Sequence, residues 1–397
     1  MKKLSRIIML VVLALVMLIP TACTITPEKS ANGLVFELDL LTNTYVVVDY
    51  KATDDDVVIE GNKILVKEVV IPSTFNGRAV TKIDIGAFRQ RYTENRHDYA
   101  EYYDFTRGQI SEETLRDPKN NVDLAYYAKV QKVVIPSSIK VIGDYAFQNA
   151  TELKEVVMDN TVNVIGNSAF AGCASLDTIT LTENGKIMTG TEFNQLPAKI
   201  NKINDGAFFQ CYALEEVYLP DNIKQIGKLS FASCSSLKSV RLEKTDGSNE
   251  IFDMVGDDVN LLQADKNGTV ITSIGNYAFK DAIAMKYFNV PNSVNKFGIA
   301  VFEMPQVKAE EMATKGSKLE GVSFSDNVKS LGSGMFKNCV SLDEDLLDLS
   351  NIEEIGDGIF EGCTSLKSVQ LNGKITKIPA RAYYGCTGIE TIDLTDY

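Results

Sequence analysis

The feature that most constrains this chain is a repeat of fixed length. Phe208, Cys211 and Val217 return 23 residues later as Phe231, Cys234 and Val240. The aromatic slot is filled in turn by Phe88, Phe147, Phe170, Phe208, Phe231, Phe279, Phe302, Phe336 and Phe360, and finally by Tyr383. The steps 147 to 170, 208 to 231, 279 to 302 and 360 to 383 are each 23 residues, and 336 to 360 is 24. The unit reads I-G-x-x-A-F-x-x-C-x-x-L-x-x-V-x-L-P-x-x-I-x-x. Its V-x-L part alternates at period two, the pattern of a short strand with one buried face. A single unit cannot bury that face, whereas a stack of units can, so the period predicts a solenoid.

Longer steps are units carrying extra residues. These lie at Arg89–Lys129, Thr182–Lys199, Glu243–Val270, Glu303–Lys318 and Asp343–Asp345. Insertions in solenoids map to loops, often on a binding face. Ahead of the repeats, residues 33–67 hold strand-like runs, among them Leu34–Leu40 and Tyr45–Val48, joined by a turn at Asn43. A first coil needs a cover, so 33–67 reads as an N-terminal β cap opening on a hairpin, and 68–397 as the solenoid.

The N-terminus has its own signature. Lys2, Lys3 and Arg6 precede an apolar run from Ile7 to Ile19, followed by Pro20, Thr21, Ala22 and Cys23. That order is a charged region, an apolar region and a small residue before a cut, with residues 1–22 as signal peptide. The run is short for a membrane span. It resembles a bacterial lipoprotein signal, with Ala22 before the cysteine and Pro20 where such signals usually carry leucine. The resemblance implies that Cys23 is lipidated and that 23–32 is a polar tether. A plain secretory cut nearby is the alternative.

The repeat also resembles the BspA-like, or treponemal-type, leucine-rich repeat. The residues that carry this are Ile142–Val157, Ile165–Leu181, Ile226–Leu242 and Ile355–Leu371, with the Leu34-Val35-Phe36 opening and Ile71–Gly77. The resemblance implies a leucine-rich repeat solenoid of about ten coils, mostly short strands with irregular or short helical segments. It further implies a bacterial surface protein that contacts host proteins, other cells or extracellular matrix; a glycan surface is a further expected partner.

Composition narrows the partners. A formal net charge of −13 argues against nucleic acid and against an anionic membrane surface, leaving membrane attachment to a lipid anchor. Six cysteines, Cys173, Cys211, Cys234, Cys339, Cys363 and Cys386, each sit three residues after the repeat aromatic, where Ala150 and Ala282 stand in other units. A slot shared by Cys and Ala is a packed core position, and no C-x-x-C or His cluster points to a metal. No cofactor is expected. The single histidine, His97, is all that a His-dependent triad would have to work with, so an enzyme is not expected. Asp265–Thr269 and Asp54–Asp56 read as surface turns.

Two surfaces compete for a partner. Residues flanking the strand valine point away from the core. They are Glu155 and Val157, Thr178 and Thr180, Glu216 and Tyr218, Ser239 and Arg241, Ser368 and Gln370, and Thr391 and Asp393, which should stack as two columns. The other surface is the insertion 89–129, with Tyr92, Tyr99, Tyr102, Tyr103 and Arg96 among its Tyr and Arg residues, types that carry binding energy at interfaces. A local subdomain packing those tyrosines on the solenoid is the other reading. Function is therefore expected to be adhesion by a lipid-anchored surface protein, with self-association of the last coil or an enzyme built in the insertions as alternatives. Thiol titration of the unfolded, unreduced chain is expected to find the repeat cysteines free; titrating none would mean they are bridged.

Overall fold

The computed structural model describes residues 26–61, 63–89, 129–188, 194–243, 251–263, 269–370 and 373–393. Its coils stack along three parallel ladders, and each ladder follows from one part of the repeat. The V-x-L part forms the first. Val69–Val70, Lys132–Ile135, Glu155–Asp159 and Thr178–Glu183 pair in parallel, with Val69, Val133, Val156 and Ile179 in one register. Glu216–Pro220 and Ser239–Glu243 continue it, then Tyr287–Asn289, Gly321–Ser323 and Leu347–Asp348, and finally Ser368–Gln370 and Thr391–Asp393. The second ladder is the residue pair ending at the isoleucine of I-G. Val141–Ile142 pairs with Val164–Ile165, and Lys202–Ile203, Gln225–Ile226, Ser273–Ile274 and Lys296–Phe297 pair in sequence.

The third ladder surrounds the aromatic slot and uses turns instead of strands. Tyr145, Phe147 and Asn149 donate their N–H groups to the carbonyls of Asn167, Ala169 and Ala171 in the next coil, at 2.9, 2.8 and 2.7 Å. The intervening Ala146, Gln148 and Ala150 donate within their own coil, to Gly143, Tyr145 and Phe147. Around most of the rings this alternation is accompanied by left-handed residues two before and two after the aromatic. Tyr145 and Asn149 have φ of 58° and 62°, Leu229 and Ser233 have 56° and 59°, and Tyr277 and Asp281 both have 58°. Such conformations cost of order 1–2 kcal/mol for residues other than glycine, so the inter-coil bonds must outweigh them.

Inside the ladders lies one continuous core running from Leu34 to Cys386. Its axis is the stack of aromatics. Phe147 and Phe170 are 5.2 Å apart at an interplanar angle of 1°, Phe208 and Phe231 are 5.5 Å apart at 3°, and Phe360 and Tyr383 are 5.3 Å apart at 23°. The I-G glycine lets neighbouring backbones come this close. A Cβ on Gly298 would lie 2.4 Å from the Asn276 nitrogen and 2.5 Å from the Gly275 carbonyl carbon.

Two insertions depart from the expectation of loops. Ile251–Gly256 lies as a strand between Ser239–Glu243 and Tyr287–Asn289, antiparallel to both. Asn194–Leu196 does similar work one step earlier. Asn194 donates to the Ile179 carbonyl at 2.8 Å, Tyr218 donates to Asn194 at 3.0 Å, and Leu196 donates to Tyr218 at 2.8 Å. The physical reason is the open strand edge. A unit that does not stack directly leaves N–H and C=O groups unpaired, and the inserted backbone satisfies them. The aromatic stack does not register the extra residues: Phe170 to Phe208 and Phe231 to Phe279 are both 5.6 Å.

At the N-terminal end, Leu34–Asp39 and Thr44–Tyr50 form the hairpin read from the sequence, and Thr44–Tyr50 pairs in parallel with Arg78–Ile83. Tyr50 stacks on Phe88 at 5.3 Å, so the hairpin supplies the ring that precedes the first repeat aromatic. A second hairpin, Val57–Glu60 with Lys63–Val66, pairs onward with Lys129–Val130.

Replacing Phe231, which is fully buried between Phe208 and Phe279, by alanine is expected to cost about 3–5 kcal/mol. An unchanged melting temperature would contradict the stack as the axis of the core. Gly298→Ala is expected to destabilise by roughly 1–3 kcal/mol, read in the same melt, because the clash is backbone against backbone.

Candidate interaction face

The strand ladder brings the proposed columns together where coils pair directly. Glu155 stands beside Thr178, and Val157 beside Thr180; Glu216 stands beside Ser239, and Tyr218 beside Arg241. Ser368 pairs with Thr391, and Gln370 with Asp393. Glu155, Val157, Thr178, Glu216, Ser239, Arg241 and Ser368 are half-buried, as expected of an outward face in a packed ladder. Lys132 of the neighbouring strand lies 3.2 Å from Glu155 and 3.5 Å from Glu68.

Two of the column residues depart from the expectation. Thr180 and Tyr218 are buried, at 7% and 2% exposure. Both lie next to the inserted Asn194–Leu196 backbone, which bonds to Ile179 on one side and to Tyr218 on the other. Tyr218 is also covered from the next coil. The Arg241 guanidinium lies 5.4 Å from the Tyr218 ring centre and donates to its hydroxyl, while its Nε donates to Asp253 at 2.8 Å. The outer column is thus interrupted in mid-face, and half-buried Arg241 is its more accessible member there. The signal for this was present in the long step from Phe170 to Phe208, which required extra backbone somewhere on this ladder.

The other candidates lie elsewhere. Cys23, and the insertion residues Tyr92, Arg96, Tyr99, Tyr102 and Tyr103, fall outside the described residues, as does His97. Asp265 to Gly268 fall outside them too, and Asp54–Asp56 is a single 3-10 turn. Among the described residues no group of three or more His, Cys, Asp or Glu could hold a metal ion. Nor, among them, is any helix long and apolar enough to cross a membrane.

The cysteine slot has a more specific chemistry than packing alone. All six repeat cysteines are free and buried. Each thiol donates to the carbonyl of the aromatic in the preceding coil. Cys173 reaches Phe147 at 3.2 Å, Cys211 reaches Phe170 at 3.3 Å, and Cys234 reaches Phe208 at 3.1 Å. Cys339, Cys363 and Cys386 repeat the contact with Phe302, Phe336 and Phe360 at 3.1, 2.9 and 2.9 Å. A small apolar side chain with one weak donor suits a carbonyl that also accepts an N–H from its own coil. Burial pushes the Cys234 thiol up to about 12, and those of Cys211 and Cys363 well above the ordinary range. Such groups are not nucleophiles at neutral pH.

A thiol whose folded value is raised adds stability that is complete below its unfolded value and is lost as pH climbs. The melting temperature should therefore hold up to about the ordinary thiol value of 9.0 and fall as pH approaches 12. Cys234→Ala should flatten part of that fall. Native protein should also react slowly with a thiol reagent at neutral pH; rapid labelling would contradict the buried ladder.

Comparison with family models agrees with the repeat. The family model described as "BspA type Leucine rich repeat region" matches in six copies, over residues 124–196, 190–308 and 307–397. No curated protein matches the chain in sequence. Among solved structures, it is similar to a leucine-rich cell surface protein from Faecalibacterium prausnitzii, at 20% identity and TM-score 0.37, covering 94% of this chain and 96% of that one. It is similar to a leucine-rich repeat protein from Bacteroides ovatus, at 20% identity and TM-score 0.39, covering 92% and 88%. It is also similar to the pneumococcal vaccine antigen PcpA, at 17% identity and TM-score 0.47, covering 93% and 87%. With the repeat, its three ladders and a family match over most of its length, the chain belongs to the BspA-type leucine-rich repeat family.

Proposed function

We propose that this protein is a lipid-anchored, noncatalytic adhesion protein of the bacterial cell surface, binding a protein or glycan on another cell or in extracellular matrix. The observation that carries this reading is the strand face. Parallel strands in one register hold outward side chains in columns, Glu155 by Thr178 and Glu216 by Ser239, on a rigid core. Repeat proteins use such extended faces for binding. Residue types along the columns are mixed, which fits a broad contact with many small contributions around a few anchors. Arg241, held by Asp253 and Tyr218, is the best-positioned anchor, because its guanidinium is already oriented. Buried thiols with raised pKa supply no nucleophile, which supports a noncatalytic role. The signal-like residues 1–22 and Cys23 support export and anchoring.

Capture of partners from a panel of matrix proteins, bacterial cells and glycans tests this. Thr178→Arg is expected to lower capture at least several-fold while leaving the stability within about 0.5 kcal/mol of the parent, as for surface changes, whereas Arg241→Glu is expected to lower capture and also the melting temperature, because it sets a carboxylate against Asp253 and uncovers Tyr218. Deleting residues 90–128 and rejoining the coils separates the two candidate surfaces. Retained capture would assign binding to the strand face, and lost capture with an intact fold would assign it to the insertion. Self-association is a second reading. Among the described residues, Thr391–Asp393 pairs only with Ser368–Gln370, and strands in such a position can take up a strand of another copy. Light scattering that grows with concentration would favour it.

A further inference from the structure

The tip of the N-terminal hairpin carries two adjacent leucines in the open. Leu40 is 68% exposed and Leu41 is 97% exposed. The turn that presents them is well held. The Asp39 carboxylate accepts from the Leu41 N–H at 2.9 Å and from the Thr42 hydroxyl at 2.8 Å, and Asn43 supplies the left-handed residue at φ 56°. Thr44 at the base bonds to Thr81 of the first coil at 2.8 Å, so the tip is fixed to the solenoid.

The direction of the tip is informative. Glu28–Lys29 pairs antiparallel with Leu34–Asp39, Glu28 opposite Phe36. The chain before Glu28 therefore comes from the side on which the leucines lie. Cys23 stands five residues before Glu28, and Leu41 stands five residues after Phe36. At about 3.3 Å per extended residue, the tether is long enough to bring Cys23 level with Leu41.

The same side of the coils has an unusual charge. Thr44–Tyr50 runs parallel to Arg78–Ile83, Val141–Ile142 and Val164–Ile165, so the turns leading into these strands lie on the side of the tip. Stacking carries that corner along the solenoid. Across its turns at 136–141, 159–164, 197–202, 220–225 and 291–296 stand Lys140, Lys199, Lys202, Lys224 and Lys296. The carboxylates of these turns are Asp159, which is fully buried, and Asp221; at the strand ends that enter the same corner stand Glu243, in register with Pro220, and exposed Glu183, the latter opposite Lys186. Farther on, the corner carries both signs. A chain of net charge −13 thus carries an excess of lysine over exposed carboxylate along the corner on the side of the tip. Whole-molecule charge does not decide contact at a surface, because fields are screened within about 8 Å at physiological salt.

We propose that Leu40, Leu41 and the lysine corner of the nearer coils form a membrane-docking face. The leucines enter the outer acyl layer beside a lipidated Cys23, and the lysines lie over anionic headgroups. This rests on the lipid-anchor reading above and adds an orientation to it. Strands run across the solenoid, so a tip pointing into the bilayer lays the coil axis along the membrane. A short apolar wedge and a few lysines are weak alone, and they act as the second signal beside an acyl chain.

The chain has no tryptophan, so Leu41→Trp makes a single emitter at the tip and Tyr384→Trp one at a distant exposed position. Both full-length variants are made with the leader in a bacterial host, checked for diacylglyceryl at Cys23 by intact mass, and placed in vesicles. These are phosphatidylcholine vesicles with or without phosphatidylglycerol, each with and without brominated acyl chains. The expected result is acylated protein, with a blue shift and bromine quenching for the Leu41→Trp variant, larger with phosphatidylglycerol, and neither for the Tyr384→Trp variant. Adding Lys199→Glu and Lys202→Glu to the tip variant should abolish the preference for phosphatidylglycerol. Acylated protein whose tip emission stays water-like, or is quenched no more than that of the distant emitter, overturns the docking face and leaves the anchor standing. Protein without acylation at Cys23 overturns both.

Discussion

Everything in this fold depends on one coil fitting flat against the next at little more than the separation of two hydrogen-bonded strands. The rings of Phe147 and Phe170 are 5.2 Å apart, and a backbone that must follow at that spacing has few choices. It bonds coil to coil through alternate N–H groups around each ring, and it places left-handed residues two positions to either side. It admits glycine where backbones touch, as at Gly298. It also leaves room in the next turn for a small side chain, and a thiol there finds the ring residue's carbonyl, as Cys173 finds Phe147. The letters of the repeat are answers to one steric problem.

The insertions show how firmly that constraint holds. At the steps from Phe170 to Phe208 and from Phe231 to Phe279 the rings keep a 5.6 Å spacing, while the strand ladder gains the extra backbone of Asn194–Leu196 or of Ile251–Gly256. One added strand lengthens that ladder by roughly 4.8 Å. The strand side therefore opens relative to the ring side at these two places. The same added backbone buries Tyr218 and Thr180, so it shapes both the curvature of the candidate face and which of its side chains remain accessible.

Distribution matters more than totals in this molecule. A strongly acidic chain keeps a run of lysines on the corner between its two strand ladders, on the side where the hairpin tip and Glu28 lie. Elsewhere lysine and glutamate pair across coils, as Lys132 with Glu155 and Lys337 with Glu361 at 3.2 Å each. At these partly exposed positions such pairs contribute little each, and they mainly keep like charges from stacking.

The sequence by itself determined the solenoid, the buried phenylalanine series, the strand at V-x-L, the core position of the cysteines and the opening hairpin. Each of these is set by contacts that recur at one period, so pattern alone exposes them. Tertiary structure alone decided that Ile251–Gly256 becomes an antiparallel strand inside a parallel ladder and that Tyr218 lies beneath Arg241. It also decided that Cys234 donates to Phe208, and that the hairpin tip shares a side with the lysine corner. Those outcomes depend on which residues of different coils become neighbours and on which backbone groups would otherwise stay unpaired. A period fixes the repeated contacts of a coil with its neighbour; it carries no information about the segments that break it.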